Sequence, residues 1–464
     1  MKKFTNYLLI LILATTVLFS CTESKKNNST SGPATDVTGD ITSNTTWRKG
    51  VRYVLKGTVS VKSGAVLTIE PGAVIRGDKA TTGTLVIERG GQIIADGRAN
   101  DPIIFTSNKD AGDRTYGDWG GIVILGNAPV NVTNPEIEGV AGKIYGGSNA
   151  ADNSGILRFV RIEFGGVPIT PGNEINGLTM GGVGSGTTIE NVQVSFSGDD
   201  AFEWFGGTVN ARNLVSHRNW DDDFDTDLGY VGKVQFGIAL RDPFIADQSQ
   251  SNCFECDNDA SGSSNVPISN PTFSNITCVG NNSRLRNGAV ITSGLNANYG
   301  RALHIRRNTS IGVFNSLFYG WGNATIGGLD LDGTGVQNKF ESLGSGALQI
   351  QFRGNVFAGE TTAGAPNTIR FGAAAASATA TTDFNANNTD LGTATGTLPD
   401  AIRAFERLIN PALTVTDAAL TSGAVFTGRL AGDGFFQSVT HRGAFGATDW
   451  TTGWANFDPV NAVY

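Results

Sequence analysis

Thirteen consecutive positions repeat at a fixed offset. Asn191 to Glu203 matches Asn213 to Asp225 residue by residue, 22 positions later, and Gly207 and Gly229 fall in the same register. An earlier pair repeats at 18: Leu67 to Ile75 aligns with Leu85 to Ile93, and Pro102 to Ser107 continues the series. Inside each unit apolar residues alternate, a glycine turns the chain, and a short apolar run resumes, the pattern of strand, turn, strand. A unit of about 20 residues cannot bury its own apolar face and must stack on its neighbours. Asn before an apolar or small residue recurs at Asn275, Asn315 and Asn355 and marks equivalent turns on later coils. These offsets predict an all-β chain folded as a parallel β-helix over residues 46–398. Each strand would pair with the strand one coil later, and alternate side chains would fill a narrow interior. The leucine–asparagine consensus of leucine-rich repeats is absent, and a β-propeller needs longer blades.

Composition agrees. The 464 residues include 62 glycines, which supply the φ > 0 positions where a solenoid turns its corners. Only 16% of residues are charged and 39% are hydrophobic, which excludes a disordered polyelectrolyte. Acids outnumber bases 42 to 34, so nucleic acid is not an expected partner.

The N-terminal segment reads as an address. Met1-Lys2-Lys3 precedes an apolar stretch from Tyr7 to Phe19, too short for a comfortable membrane span. Leu18-Phe19-Ser20-Cys21 resembles a bacterial lipobox, which implies a signal peptide over 1–20 and a lipid on Cys21. Residues 21–45, rich in Ser, Thr and Asn, are expected to be a flexible tether. Thr22, rather than Asp, after the cysteine implies the outer membrane, with the leaflet open. At the other end, Pro399-Asp400 predicts a helix over Ala401–Leu408. The aromatic stretch Phe435–Phe457, with Trp450 and Trp454, is expected to form a cap or flap over the last coils, so that residues 399–464 form a helix and cap packed on the solenoid.

The strongest chemical signal is eight carboxylates between residues 199 and 227. The 22-residue offset places Asp199 over Asp221, Asp200 over Asp222 and Glu203 over Asp225, on coils about 4.8 Å apart. Stacked carboxylates repel unless a cation joins them, and calcium suits an all-oxygen set. The competing reading is a solvated acidic face. Arg301, His304, Arg306 and Arg307 form a basic cluster in which alternation puts His304 and Arg306 on one face and Arg307 opposite. Arg301 and His304 are candidates to bind an anionic substrate group. Three cysteines, Cys253, Cys256 and Cys278, leave room for one disulfide whose pairing is open.

The whole pattern resembles the right-handed parallel β-helix superfamily of pectin-lyase-like proteins. It is also similar to Bacteroidota outer-membrane lipoproteins that share the Gly117–Gly121 and Arg158–Gly166 segments, over roughly residues 50–460. Asp221 to Asp225 resembles the calcium motif of family nine pectate lyases, with Asp223 where that motif has glycine. This resemblance implies Asp200, Asp221, Asp222 and Asp225 as calcium ligands and a lysine as the base of a β-elimination. Lys233 is the only lysine between residues 144 and 338. It is either that base or a salt-bridge partner of Asp227 or Asp223, and Arg306 is the other candidate base. Two functions compete. One is a lipid-anchored outer-membrane protein, held through Cys21, whose calcium-braced acidic face binds a polysaccharide or a transporter or surface-complex partner. The other is a calcium-dependent polysaccharide lyase.

Overall fold

The computed structural model describes residues 34–170, 173–280, 294–321, 328–340, 343–358, 369–372, 374–391 and 409–464. Within them 27 strands join one hydrogen-bonded network, almost all of it parallel. The chain is a parallel β-helix with three strand stacks per coil. One stack runs Val66–Ile69, Gln92–Asp96 and the first halves of Gly155–Glu163, Thr188–Ser195 and Asn210–His217. The second takes the other halves of those long strands. The third runs Thr84–Ile87, Gly121–Leu125, Leu178–Val183, Phe202–Gly207, Phe224–Asp227, Phe254–Cys256, Leu303–Ile305 and Leu329–Leu331.

The repeat read from sequence is the register of the third stack. Phe202 pairs with Phe224 and Glu203 with Asp225. Inward positions form a continuous ladder, Leu85, Ile122, Leu178, Phe202, Phe224, Phe254, Leu303 and Leu329, each fully buried. The Phe202 and Phe224 rings stack at 5.9 Å and 9°. The corner between the first two stacks is one left-handed residue per coil. Phe159, Asn191, Asn213, Phe236, Asn275 and Asn315 have φ between 49° and 63°. Asn recurs there because its short polar side chain tolerates this conformation better than most residues do.

Three expectations change at the ends. The tether expected up to residue 45 is shorter, since Thr35–Ile41 is a strand paired with Tyr53–Val61. Cys21 and the apolar stretch before it lie outside the described residues, as does the helix expected over 401–408. Among the described residues no helix is long and apolar enough to cross a membrane. The far end of the solenoid is covered by a helix the sequence pattern did not flag, Ala378–Asn387, N-capped by Ser377 and packing Phe384 on Phe357 at 5.3 Å. The aromatic tail is therefore not a cap over the last coils. It runs back along the flank within a strap of residues 409–464, held to the coils by hydrogen bonds to its backbone and by buried side chains such as Leu420, Leu430, Phe445 and Trp454. Gln193, Gln235 and Asn315 each accept the N–H and donate to the C=O of one strap residue: Asn456, Gln437 and Val425. Each side-chain amide thus replaces a strand's peptide group. Trp454, on the strap, packs in an apolar cluster with Val215, Ile238 and Leu317 of the body.

Candidate functional site

The site forms at the corner that opens the third stack and on that stack's outer face. Four residues occupy equivalent corner positions on successive coils: Asn176, Asp200, Asp222 and Asn252. Each side chain accepts the backbone N–H of the next rung: Asp200 N to Asn176 Oδ1 at 3.2 Å, Asp222 N to Asp200 Oδ1 at 2.8 Å, Asn252 N to Asp222 Oδ1, and Arg301 N to Asn252 Oδ1 at 2.8 Å. These bonds satisfy N–H groups that a turning solenoid would otherwise bury unpaired. An amide oxygen does this at both ends of the ladder, so the structural task alone does not require the charge at Asp200 and Asp222.

The outer face adds a second ladder. Thr179, Glu203, Asp225, Glu255, His304 and Asp330 stand in register along the third stack. Asp200 and Asp222 of the first ladder and Glu203, Asp225 and Glu255 of the second line a groove of about 970 Å3. Among the described residues its walls carry ten carboxylates, including Glu138 and Asp247 from loops and Glu174 from the short strand Asn173–Ile175, against three cations, Lys79, Arg306 and Arg307. Those cations are already engaged. Lys79 lies 3.3 Å from the buried Asp118, Arg306 pairs with Glu255 and Asp257, and Arg307 pairs with Asp257 at 2.8 Å. Burial first, and then neighbouring carboxylates, hold Asp199, Asp200, Glu203, Asp222 and Asp225 well above the usual carboxylate range. Burial pushes Asp221 up to about 6 and Glu138 up to about 7.

Three groups bring carboxylate oxygens within 4.8 Å of one another: Asp199 with Asp200 and Asp221, Asp200 with Glu203 and Asp225, and Asp222 with Asp225 and Glu255. The four residues expected as calcium ligands, Asp200, Asp221, Asp222 and Asp225, all occur in these groups, and Asp199, Glu203 and Glu255 join them. Asp221 Oδ1 and Asp225 Oδ1 are buried without a hydrogen-bond partner. An all-oxygen set with unpartnered anionic atoms fits a hard divalent cation. Tyr116 and Trp220 line the same groove, their rings edge to face at 5.4 Å.

Other expected site residues are placed differently. Lys233 is not a groove residue. It starts a strand of the first stack, and its ammonium pairs with Asp433 of the strap rather than with Asp227 or Asp223. Asp223 instead points inward and pairs with Arg241 at 3.3 Å, both fully buried, with Arg241 also donating to the Asp221 carbonyl. Sequence reasoning passed over Arg241, although an arginine ending the apolar run Val234–Leu240 needs a buried acid. Arg301 is held by Asp330 at 2.9 Å and by Gln250, and His304 sits between Glu255 and Asp332. Neither lines the groove. Burial lowers His304 to about 4, so its ring is neutral at pH 7 and supplies no charge for an anion. Arg306 does line the groove. Arg307 does not face away from it, because its left-handed backbone (φ 48°) breaks the alternation and turns both arginines onto Asp257. The disulfide joins Cys253 to Cys278, leaving Cys256 as a buried thiol.

Fold and groove together define a parallel β-helix protein with a carboxylate-lined cleft on one face. Residues 39–400 match the model of the pectate-lyase like beta helix domain, and the chain belongs to that family. No curated protein and no solved structure matches it.

Proposed function

We propose that this protein binds a carbohydrate in the acidic groove, with a calcium ion held among Asp200, Asp221, Asp222 and Asp225. The reading rests on the corner ladder: acids stand at its two central rungs, where the amides of Asn176 and Asn252 serve at the outer ones. The ladder's hydrogen bonds leave the charge unexplained, and a cation in the groove accounts for it. Calcium would neutralise the crowded carboxylates and offer open coordination positions to sugar hydroxyls or carboxylates. Tyr116 and Trp220 would supply the apolar ring faces on which a pyranose stacks. A lipid on Cys21 would fix the protein at the outer membrane, beside a transporter or surface complex that takes up the glycan.

The test is thermal unfolding with calcium and with excess chelator, on the wild type and Asp222→Asn. A calcium-dependent rise in the wild type that is lost in the variant supports the reading, by mass action on the folded state. No shift at millimolar calcium would remove the metal from it. A second reading, a lyase, rests on Arg306, the candidate base that lines the groove. β-Elimination would need Arg306 to give up its proton first and take the substrate's as a neutral guanidine, while its pairing with Glu255 and Asp257 favours the charged form. Absorbance of unsaturated products from acidic polysaccharides decides it.

A further inference from the structure

The strap lies beyond the residues that match the family, yet it reaches the groove. From Phe457 a chain of ring contacts crosses the coil: Phe457 to His217 at 5.3 Å and 87°, His217 to Phe196 at 5.7 Å and 86°, Phe196 to Tyr116 at 5.2 Å, and Tyr116 to Trp220 at 5.4 Å. Three of the four are edge to face and the Phe196–Tyr116 pair is tilted at 54°; such contacts are directional and fix one ring against the next. The same strap also holds the backbone that carries Tyr116. Arg114 donates to the Pro459 and Ala462 carbonyls at 3.0 and 2.9 Å, and Gly112 N–H donates to the Val460 carbonyl at 2.7 Å. The loop from 112 to 116 is thus registered twice, through its backbone and through the Tyr116 ring.

We propose that the strap positions the ring-stacking wall of the groove, with Phe457 setting Tyr116 against Trp220 to form a subsite for a pyranose ring. The subsite rests on the carbohydrate reading; the positioning does not. Phe457 is a positioning residue, because its ring is separated from the groove by His217 and Phe196. Phe457 is only half-buried, so losing its ring removes the contact with His217 without emptying a core position. Trp220 would then lose its fixed neighbour.

Trp220 reports this directly. Its share of the fluorescence is the part quenched by acrylamide in the wild type and missing in Trp220→Phe. In Phe457→Ala that share should become more quenchable and shift to the red, and Phe457→Tyr should restore it. Arg114→Ala, which frees the loop from the strap, should give the same response and serves if Phe457→Ala fails to fold. Phe435→Ala, elsewhere on the strap over Arg212 at 4.3 Å, should leave Trp220 unchanged. Phe457→Ala and Arg114→Ala proteins with wild-type unfolding midpoints and unaltered Trp220 quenching would overturn the proposal, as would an equal response in Phe435→Ala. Titration with neutral and uronic hexasaccharides separates the two readings. Affinity lost in Phe457→Ala and regained in Phe457→Tyr supports the subsite. The Trp220 response without binding of any hexasaccharide overturns the carbohydrate reading and leaves the positioning standing.

Discussion

At Asp222 one carboxylate oxygen accepts the Asn252 backbone N–H, and the residue belongs to a carboxylate group with Asp225 and Glu255. The two roles separate by substitution. Asp222→Asn keeps an oxygen for the N–H and removes the charge, so in chelator it should unfold at or above the wild-type temperature, relieved of repulsion. Asp222→Ala leaves that N–H buried and unpaired, which costs about 1–3 kcal/mol with or without calcium. Unfolding of both variants in chelator checks this, and an alanine variant as stable as the asparagine one would contradict the ladder. Asp223 behaves differently. It is fully buried on Arg241, so Asp223→Ala strands a guanidinium in the core and should cost about 3–5 kcal/mol. Asp223→Ala with Arg241→Met should recover much of that loss, measured as a double-mutant cycle in urea.

The elements differ in how far they could be read in advance. The 22-residue offset became the pairing of Phe202–Gly207 with Phe224–Asp227, because a strand ladder converts sequence periodicity directly into register. The acidic cluster was legible for the same reason, since stacking at one register brings equal positions together. The aromatic tail does not cap the solenoid end, because its buried rings, Phe445 and Trp454, pack on the flank of the coils, and its docking bonds run from side-chain amides on the coils to its backbone, a contact that no pattern in the tail reveals. Arg307 does not follow the alternation because its backbone is left-handed; Asn308, left-handed as well at φ 63°, is the residue type that signals such a turn, but an arginine does not mark where the turn begins. The disulfide could not be paired from sequence because its partners sit on different strand stacks, Cys253 beside Phe254–Cys256 and Cys278 within Thr272–Val279. It closes 25 residues of chain, so reduction should lower stability by about 3 kcal/mol on the loop-entropy scale. Unfolding in urea with and without reductant measures it, and Cys253→Ala should show no further effect of reductant.

For the whole molecule, the groove makes stability a function of pH and of divalent cation together. Asp221 and Glu138 titrate in the folded chain at about 6 and about 7, against 3.8 and 4.5 for the free side chains, and the buried carboxylates beside them are raised as well. Between those values the folded protein binds more protons than the unfolded chain. Stability must then fall as pH rises, because deprotonation is easier once the groove has opened. The contribution is complete below about pH 4 and is lost as pH rises through about 6 and about 7, where these two groups ionise in the folded chain. This is the reverse of an acid held by a cation within its own fold, such as Glu88, lowered by Lys143 and Lys62 despite its burial. Calcium binds only the ionised carboxylates and so competes with protons for the same oxygens. In chelator the unfolding temperature should therefore drop from pH 5 to pH 8. In saturating calcium the drop should shrink or reverse, the gap between the two curves widening with pH. A gap of constant width would place calcium away from these carboxylates, and a flat curve in chelator would mean that the groove's acids are solvated and carry no strain for a cation to relieve.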